Sequence, residues 1–314
     1  MTPDYSPVPK TPFTNAQIVA VGYDPEKYHK GESKRGSPDY KIGRSSLLEF
    51  EACPHKWLKS GDSEDTAATE WGSAIDCMLL TPSDFEKRYV VCPPTYTDDK
   101  GVEKPWTFAA KVCKQWRDEN AGMHVLKADV FDEVSKAAGV VKMNTELREI
   151  LETCECQVYV TGDYYDEATG ETAHVKTLLD ILPKLDSPWR GSLMDLKSAR
   201  DASPYKWGRV VFDYGYDVQA AMSLDLYMAA KPDEGRMDFR HVIVENVAPF
   251  EIGKRIVSEE FLTRGRFIYE NALKHYCQCL HTGDWHGYDA QTKNQMDGWT
   301  FTSPENWMVN ARNL

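Results

Sequence analysis

Between Ala173 and Arg200 the chain reads AHVKTLLDILPKLDSPWRGSLMDLKSAR, and this stretch narrows the choice of fold more than any other. Two apolar runs, 174–182 and 192–197, flank a polar turn containing Pro, Asp and Ser, the pattern of two neighbouring strands. The first run carries Asp180 near its end, and the second closes on Asp195-Leu196-Lys197. Side chains alternate along a strand, so Asp195 and Lys197 share a face about 6–7 Å apart while Leu196 turns into a core. Two carboxylates and an ammonium therefore converge on one point. Hard divalent cations such as Mg²⁺ favour oxygen donors of this kind, usually one or two carboxylates completed by water and substrate phosphate. The lysine is then placed to orient or deprotonate an attacking water, or to stabilise charge growing on a phosphate.

The triplet needs its context. Glu32-x-Lys34, Asp39-x-Lys41 and Asp98-x-Lys100 have the same form, but lie in polar sequence flanked by Gly or Pro. There a solvated surface pair is the better reading. Only Asp195-x-Lys197 follows an apolar strand with a second acid-bearing strand upstream. On spacing alone, a metal site and a strand-end salt bridge stand level, the latter worth only ~0–1 kcal/mol.

Upstream of this stretch the periodicity is mostly helical. Met1–Gly43 has no sustained period and reads as a loosely ordered arm, followed by a single domain over 44–290. Ser46-Leu47-Leu48-Glu49 has the form of a capping box, predicting a helix over 46–59. Arg44, Ser45 and Ser46 would sit at its positive end, where an anion such as a terminal phosphate can dock, although ordinary capping with a surface arginine is the better reading. A second helix, 67–80, places Asp76 among Ile75, Cys77, Met78, Leu79 and Leu80. A carboxylate in such a setting needs a partner, either a buried hydrogen bond or a metal or substrate. Helices are expected over 107–119, 127–141 and 144–152.

The pattern then switches to alternation over 155–161, and Glu155 opens that strand within reach of the same site. After Arg200, Ser203-Pro204 starts a helix carrying Lys206 and Arg209. Tyr214-Gly215-Tyr216 breaks it, and a further helix over 217–230 carries Gln219 and Tyr227. An apolar strand over 239–245, a long amphipathic helix over 258–280, and a 291–314 tail with a short helix near Asn306 complete the order. Helices, a strand meander, then mixed elements imply an α/β fold with a central mixed β-sheet flanked by helices.

Composition excludes some classes. The 314 residues carry 49 acids against 37 bases, a net charge of −12, which argues against a general nucleic-acid coat. It leaves room for an enzyme with one basic groove, because local field decides binding. There is no run of eighteen apolar residues and no signal peptide, so a soluble cytoplasmic protein without membrane partners is expected. The eight cysteines are scattered and read as buried thiols.

In order and spacing these pieces resemble the PD-(D/E)xK nuclease superfamily, most closely the phage and prophage group around exonuclease VIII (RecE). The carrying residues are Arg44-Ser45-Ser46-Leu47, Gly72-Ser73-Ala74-Ile75-Asp76, Glu155, Asp180, Asp195-Leu196-Lys197, Tyr216-x-x-Gln219 and Glu245. The resemblance implies a restriction-endonuclease-like core in which Asp180 and Asp195 hold Mg²⁺, with Mn²⁺ substituting, and Asp76 or Glu155 adds a ligand. Lys197 is then the catalytic lysine and Gln219 a contact to water or substrate. Arg44, Ser46, Arg200, Lys206 and Arg209 are the candidate DNA contacts.

The implied activity is a metal-dependent exodeoxyribonuclease, 5′→3′ and specific for double-stranded ends, in a phage recombination system of a bacterial host cell. The implied partners are duplex ends, a single-strand annealing protein and further copies in a ring. An endonuclease, a RecB-like nuclease domain and an inactive DNA-binding derivative are the rivals. Two departures matter: Asp76 stands where the group commonly has histidine, and Ser223 where it often has tyrosine, with Tyr227 one turn further on. An iron–sulfur subgroup needs four cysteines. Cys53 matches its first, but Cys277 and Cys279 alone are too few for the rest.

Overall fold

The two apolar runs form neighbouring strands of one sheet. The computed structural model describes residues 11–31, 33–61, 67–288, 295–296 and 299–300. In chain order, β1 (Phe13–Ala20), α1 (Pro25–Lys30) and β2 (Lys41–Ile42) precede α2 (Arg44–Ala52), α3 (Pro54–Lys59) and α4 (Ala67–Leu80). Then come α5 (Phe85–Arg88), β3 (Tyr89–Val91), β4 (Thr95–Thr97), β5 (Glu103–Pro105), α6 (Lys111–Glu119) and β6 (His124–Leu126). Helices α7 (Ala128–Met143) and α8 (Thr145–Thr153) lead into β7 (Cys154–Tyr165), β8 (Thr172–Pro183) and β9 (Ser192–Ala199). Last are α9 (Pro204–Asp213), α10 (Tyr216–Ala230), β10 (Asp238–Glu245), β11 (Ile252–Ile256) and α11 (Glu259–Thr282), with short strands β12 (Gln295–Met296) and β13 (Trp299–Thr300).

The main sheet has seven strands in the order β1-β7-β8-β9-β10-β11, with β2 added against β8. Strands β7, β8 and β9 form an antiparallel meander, whereas β10 runs parallel to β9. A parallel return needs a crossover, and α9 and α10 supply it. Each face carries a core. On one, α2, α3, α10 and α11 cover Val158, Val175, Leu193 and Phe239. On the other, α4, α7 and α8 cover Ile181, Met194, Leu196 and Val244. Leu193 and Leu196 thus enter opposite layers, as strand alternation requires. Burying a Leu or Phe in such a layer is worth about 1.5–3 kcal/mol.

Helix α10 is apolar nearly all round, with buried residues from Asp217 to Met228. Such a helix belongs inside a fold. It starts after Gly215, whose φ of 63° reverses the chain from α9 in a way other residues rarely adopt. It also runs very close to α11: a Cβ on Gly265 would lie 2.2 Å from the Asp217 carbonyl oxygen.

Three expectations need correction. Residues 11–43 are not a loose arm, because β1 pairs antiparallel with β7, from Phe13↔Tyr164 to Ala20↔Tyr159. Its period is concealed by register shifts and by Asn15, which takes a φ of 49°. The helix expected over 46–59 is two helices, because Pro54 cannot donate into the first and opens the second. The capping box is not formed: α2 begins at Arg44 on Gly43, without a side-chain cap. The expected helix near Asn306 lies outside the described residues. Among the described residues, no helix is long and apolar enough to cross a membrane.

Candidate active site

Strands β8 and β9 meet in register at Ile181↔Met194. In an antiparallel pair the next position sets Asp180 across from Asp195. Asp180 Oδ2 accepts the Leu196 backbone N–H at 3.0 Å, so this carboxylate ties the two strands beside their registered pair. Lys197 Nζ lies 2.5 Å from Asp195 Oδ2 and 4.8 Å from the centre of the Tyr216 ring. The ammonium is thus held between a carboxylate and an aromatic face.

Helix α10 reaches the carboxylates from behind. Gln219 Nε2 donates to Asp195 Oδ1 at 2.6 Å, and Gln219 Oε1 accepts from Arg44 Nη2 at 3.0 Å. Arginine can only donate, so its approach fixes the amide with oxygen toward Arg44 and nitrogen toward Asp195. Arg44 Nη1 donates to the Tyr214 carbonyl at 3.2 Å, and its guanidinium sits 5.6 Å from the centre of the Tyr216 ring. On the other side α4 packs on β9, where a Cβ on Gly72 would lie 3.1 Å from Ser198 Oγ. One turn along this helix is Asp76, close enough to feel the charges of Lys197 and Asp195.

These groups share charge unevenly. Burial pushes the Asp180 carboxyl well above its ordinary range, and the charges of Asp195 and Asp76 push it further. Burial likewise raises Asp76, to about 7, against the pull of Lys197. Burial would raise Asp195 too, but Lys197 and the neighbouring groups outweigh it and hold Asp195 low. Lys197 is desolvated, yet Asp195 and Asp180 keep it more basic than usual. An ionised Asp195 beside protonated neighbours and a fixed ammonium is what crowded carboxylates adopt when nothing else neutralises them.

The set also fits a cation. Asp195 is buried with its Oδ1 held by Gln219 and its Oδ2 beside the Lys197 ammonium, so its carboxylate is kept charged and oriented. Oxygens of Asp180, Asp195 and Asp76 suit a hard divalent ion such as Mg²⁺ or Mn²⁺.

Other candidates are placed differently. Glu155, on β7, pairs with Leu182 of β8, two residues past Asp180, and no described interaction joins it to the carboxylates. Ser46 Oγ lies between the Tyr40 hydroxyl (2.8 Å) and the Trp57 indole N–H (2.7 Å), tying α2 to its neighbours. Lys206 and Arg209 are exposed on α9 and paired with Asp201 and Asp213. Arg200 is exposed just beyond the end of β9. Glu245 Oε1 caps the Ala202 N–H at 2.8 Å. Ser223 Oγ shares a hydrogen bond with Thr177 Oγ1, and Tyr227 donates its hydroxyl to Glu234.

One neighbour had no sequence signal beyond being a lone histidine in an apolar strand. His241 pairs in register with Asp195 across β9 and β10. Its Nδ1 accepts the Trp207 indole N–H at 3.3 Å, and burial lowers its pKa to about 4. A neutral imidazole accepting at Nδ1 carries its proton on Nε2.

Residues 43–292 match the PDDEXK-like domain of unknown function (DUF3799). Among solved structures, a protein of Eubacterium rectale assigned as an exonuclease superposes with a TM-score of 0.55 at 14% identity, covering 94% of this chain and 100% of that one. At that identity the likeness is one of fold. Scheffersomyces stipitis Rai1, solved with (3′-NADP)⁺ and calcium ion, covers 83% of this chain and 73% of its own at 12% identity. Its TM-score of 0.24 carries no argument. No curated protein matches the chain.

Proposed function

Since the chain belongs to the PDDEXK-like DUF3799 family, within the PD-(D/E)xK nuclease superfamily, we propose that it is a metal-dependent deoxyribonuclease, a 5′→3′ exonuclease acting on double-stranded ends. The observation that carries the hydrolytic reading is the convergence of Asp180, Asp195 and Lys197 where β8 meets β9, with Gln219 locked onto Asp195. The choice of an exonuclease rests on the resemblance to the exonuclease VIII group, and the Eubacterium rectale protein's assignment agrees with it. On the same resemblance, a single-strand annealing protein is the proposed partner in recombination.

Asp180, Asp195 and Asp76 are the residues that would hold the divalent cation, which when bound supplies Lewis-acid stabilisation of phosphate charge. The chain's own residues do the rest. Lys197, kept protonated by two carboxylates and steadied on Tyr216, presents a fixed positive charge to the scissile phosphate. Gln219 prevents Asp195 from rotating and, through Arg44, links that carboxylate to α2. Arg44 spends one N–H on Gln219 and one on Tyr214, leaving guanidinium donors for a phosphate oxygen.

Digestion of linear duplexes labelled at one end or the other, beside a closed circular duplex, tests this reading. Mg²⁺-dependent release of the 5′ label before the 3′ label, with the circle intact, is expected. Cleavage of the circle makes the enzyme an endonuclease. Cleavage undiminished by excess chelator overturns the metal-dependent reading.

A further inference from the structure

On the face of α11 turned toward α2, three soft or borderline donors meet. His275, Cys279 and His286 each offer a ligand atom, and these atoms lie within 4.8 Å of one another. His275 and Cys279 are four residues apart on the helix and so share a face. His286 arrives from the chain beyond the helix. Gly283, at a φ of 71°, ends α11 with its N–H on the Cys279 carbonyl at 2.9 Å. Trp285 then stacks on Trp57 at 5.6 Å, the His55 N–H donates to the His286 carbonyl at 3.1 Å, and the His286 ring stacks on His275 at 5.0 Å. The turn that delivers His286 is therefore held in place by packing and backbone bonds.

We propose that His275, Cys279 and His286 form a second metal site, for a zinc-class divalent ion, distinct from the carboxylate site. Tetrahedral zinc with N and S ligands at about 2.0–2.3 Å needs donors roughly 3.4–3.7 Å apart. Rotamer adjustments of about 1 Å bring a triplet within 4.8 Å to that spacing. Two imidazoles and a thiolate select zinc over Mg²⁺, whereas the all-oxygen carboxylate set does the reverse. Glu51 Oε2 lies 3.1 Å from His275 Nδ1, the carboxylate support that metal-bound imidazoles commonly have. Cys279 is 2% exposed, which shields a metal–thiolate bond from solvent.

The site is a histidine–cysteine site and not a cysteine cluster. Cys277 is two residues from Cys279, about 200° around the helix, and its Sγ points toward the Glu171 carbonyl at 4.0 Å. A metal here fastens the segment after α11 to the C-terminal end of α2, the helix whose first residue is Arg44.

Cobalt(II) titration of the purified full chain, freed of metal, tests the site without reference to nuclease activity. Wild type should develop a near-ultraviolet thiolate-to-cobalt charge-transfer band and strong tetrahedral visible bands at one equivalent, both displaced by zinc. Cys279→Ser should abolish the charge-transfer band, and His286→Asn should weaken Co²⁺ binding at least tenfold. Asp195→Asn should leave the spectrum unchanged. No charge-transfer band in wild type, the same band in Cys279→Ser, or its loss in Asp195→Asn would overturn the proposal. If Cys279→Ser fails to fold, the wild-type spectrum and His286→Asn decide.

Discussion

Gln219 donates its amide to Asp195 at 2.6 Å, so a helix buried behind the sheet holds the central carboxylate of the site. The same amide accepts from Arg44, which joins three elements, α2, α10 and β9, through one side chain. Gln219→Ala should cut turnover or Mn²⁺ affinity by about 10–100-fold, as loss of a supporting partner does at metal sites. Gln219→Glu should do no better, since a second negative charge would face Asp195. Calorimetric Mn²⁺ titration beside a duplex-digestion assay checks this, and an unaffected Gln219→Ala would show the link to be idle.

Lys197 carries charge but is no metal ligand. Lys197→Ala should stop cleavage while leaving Mn²⁺ binding largely in place. Duplex affinity in Ca²⁺ should fall only modestly, because one phosphate contact among many is a small part of the electrostatic total. A variant that loses Mn²⁺ binding altogether would make the lysine structural.

Asp76 and Asp180 hold protons more tightly in the folded chain than in the unfolded one. The folded state therefore binds more protons between the ordinary carboxylate range and pH about 7. Stability from these groups is fully present at low pH and is lost as pH rises through that window. In chelator, Asp76→Asn should flatten the fall in Tm between about pH 5 and 8 relative to wild type. Mg²⁺ should flatten it in wild type. Parallel pH profiles for wild type and variant in chelator would contradict the crowded-carboxylate account.

The α10–α11 contact depends on a missing side chain. A methyl on Gly265 cannot fit 2.2 Å from a backbone carbonyl, so the helices must separate. Gly265→Ala should destabilise by about 1–3 kcal/mol, read as a lower denaturation midpoint.

Much of this was legible in the chain because it is local. Alternation around Asp180 and Asp195 located β8 and β9 and set the two carboxylates across from each other, and the lone acid Asp76 lies near them. What escaped depends on distant pairings. Strand β1 joins β7 across about 150 residues, with Asn15 breaking its alternation. His241 reaches Asp195 only because β10 returns parallel to β9, and Arg44 reaches Gln219 across 175 residues. The contacts of Tyr40 and Trp57 with the Ser46 hydroxyl are likewise ones that a capping pattern does not reveal.

The central claim is that Asp180 and Asp195 are the metal-binding carboxylates of a nuclease. Asp180→Asn and Asp195→Asn each remove a charge with little change of volume. Calorimetric titration of Mn²⁺ into wild type and both variants, with linear-duplex digestion on the same samples, tests the claim most directly. Wild type should bind Mn²⁺ and digest DNA, while both variants lose turnover and bind Mn²⁺ at least tenfold more weakly. Variants that bind Mn²⁺ like wild type and still digest duplex would contradict the assignment of the site.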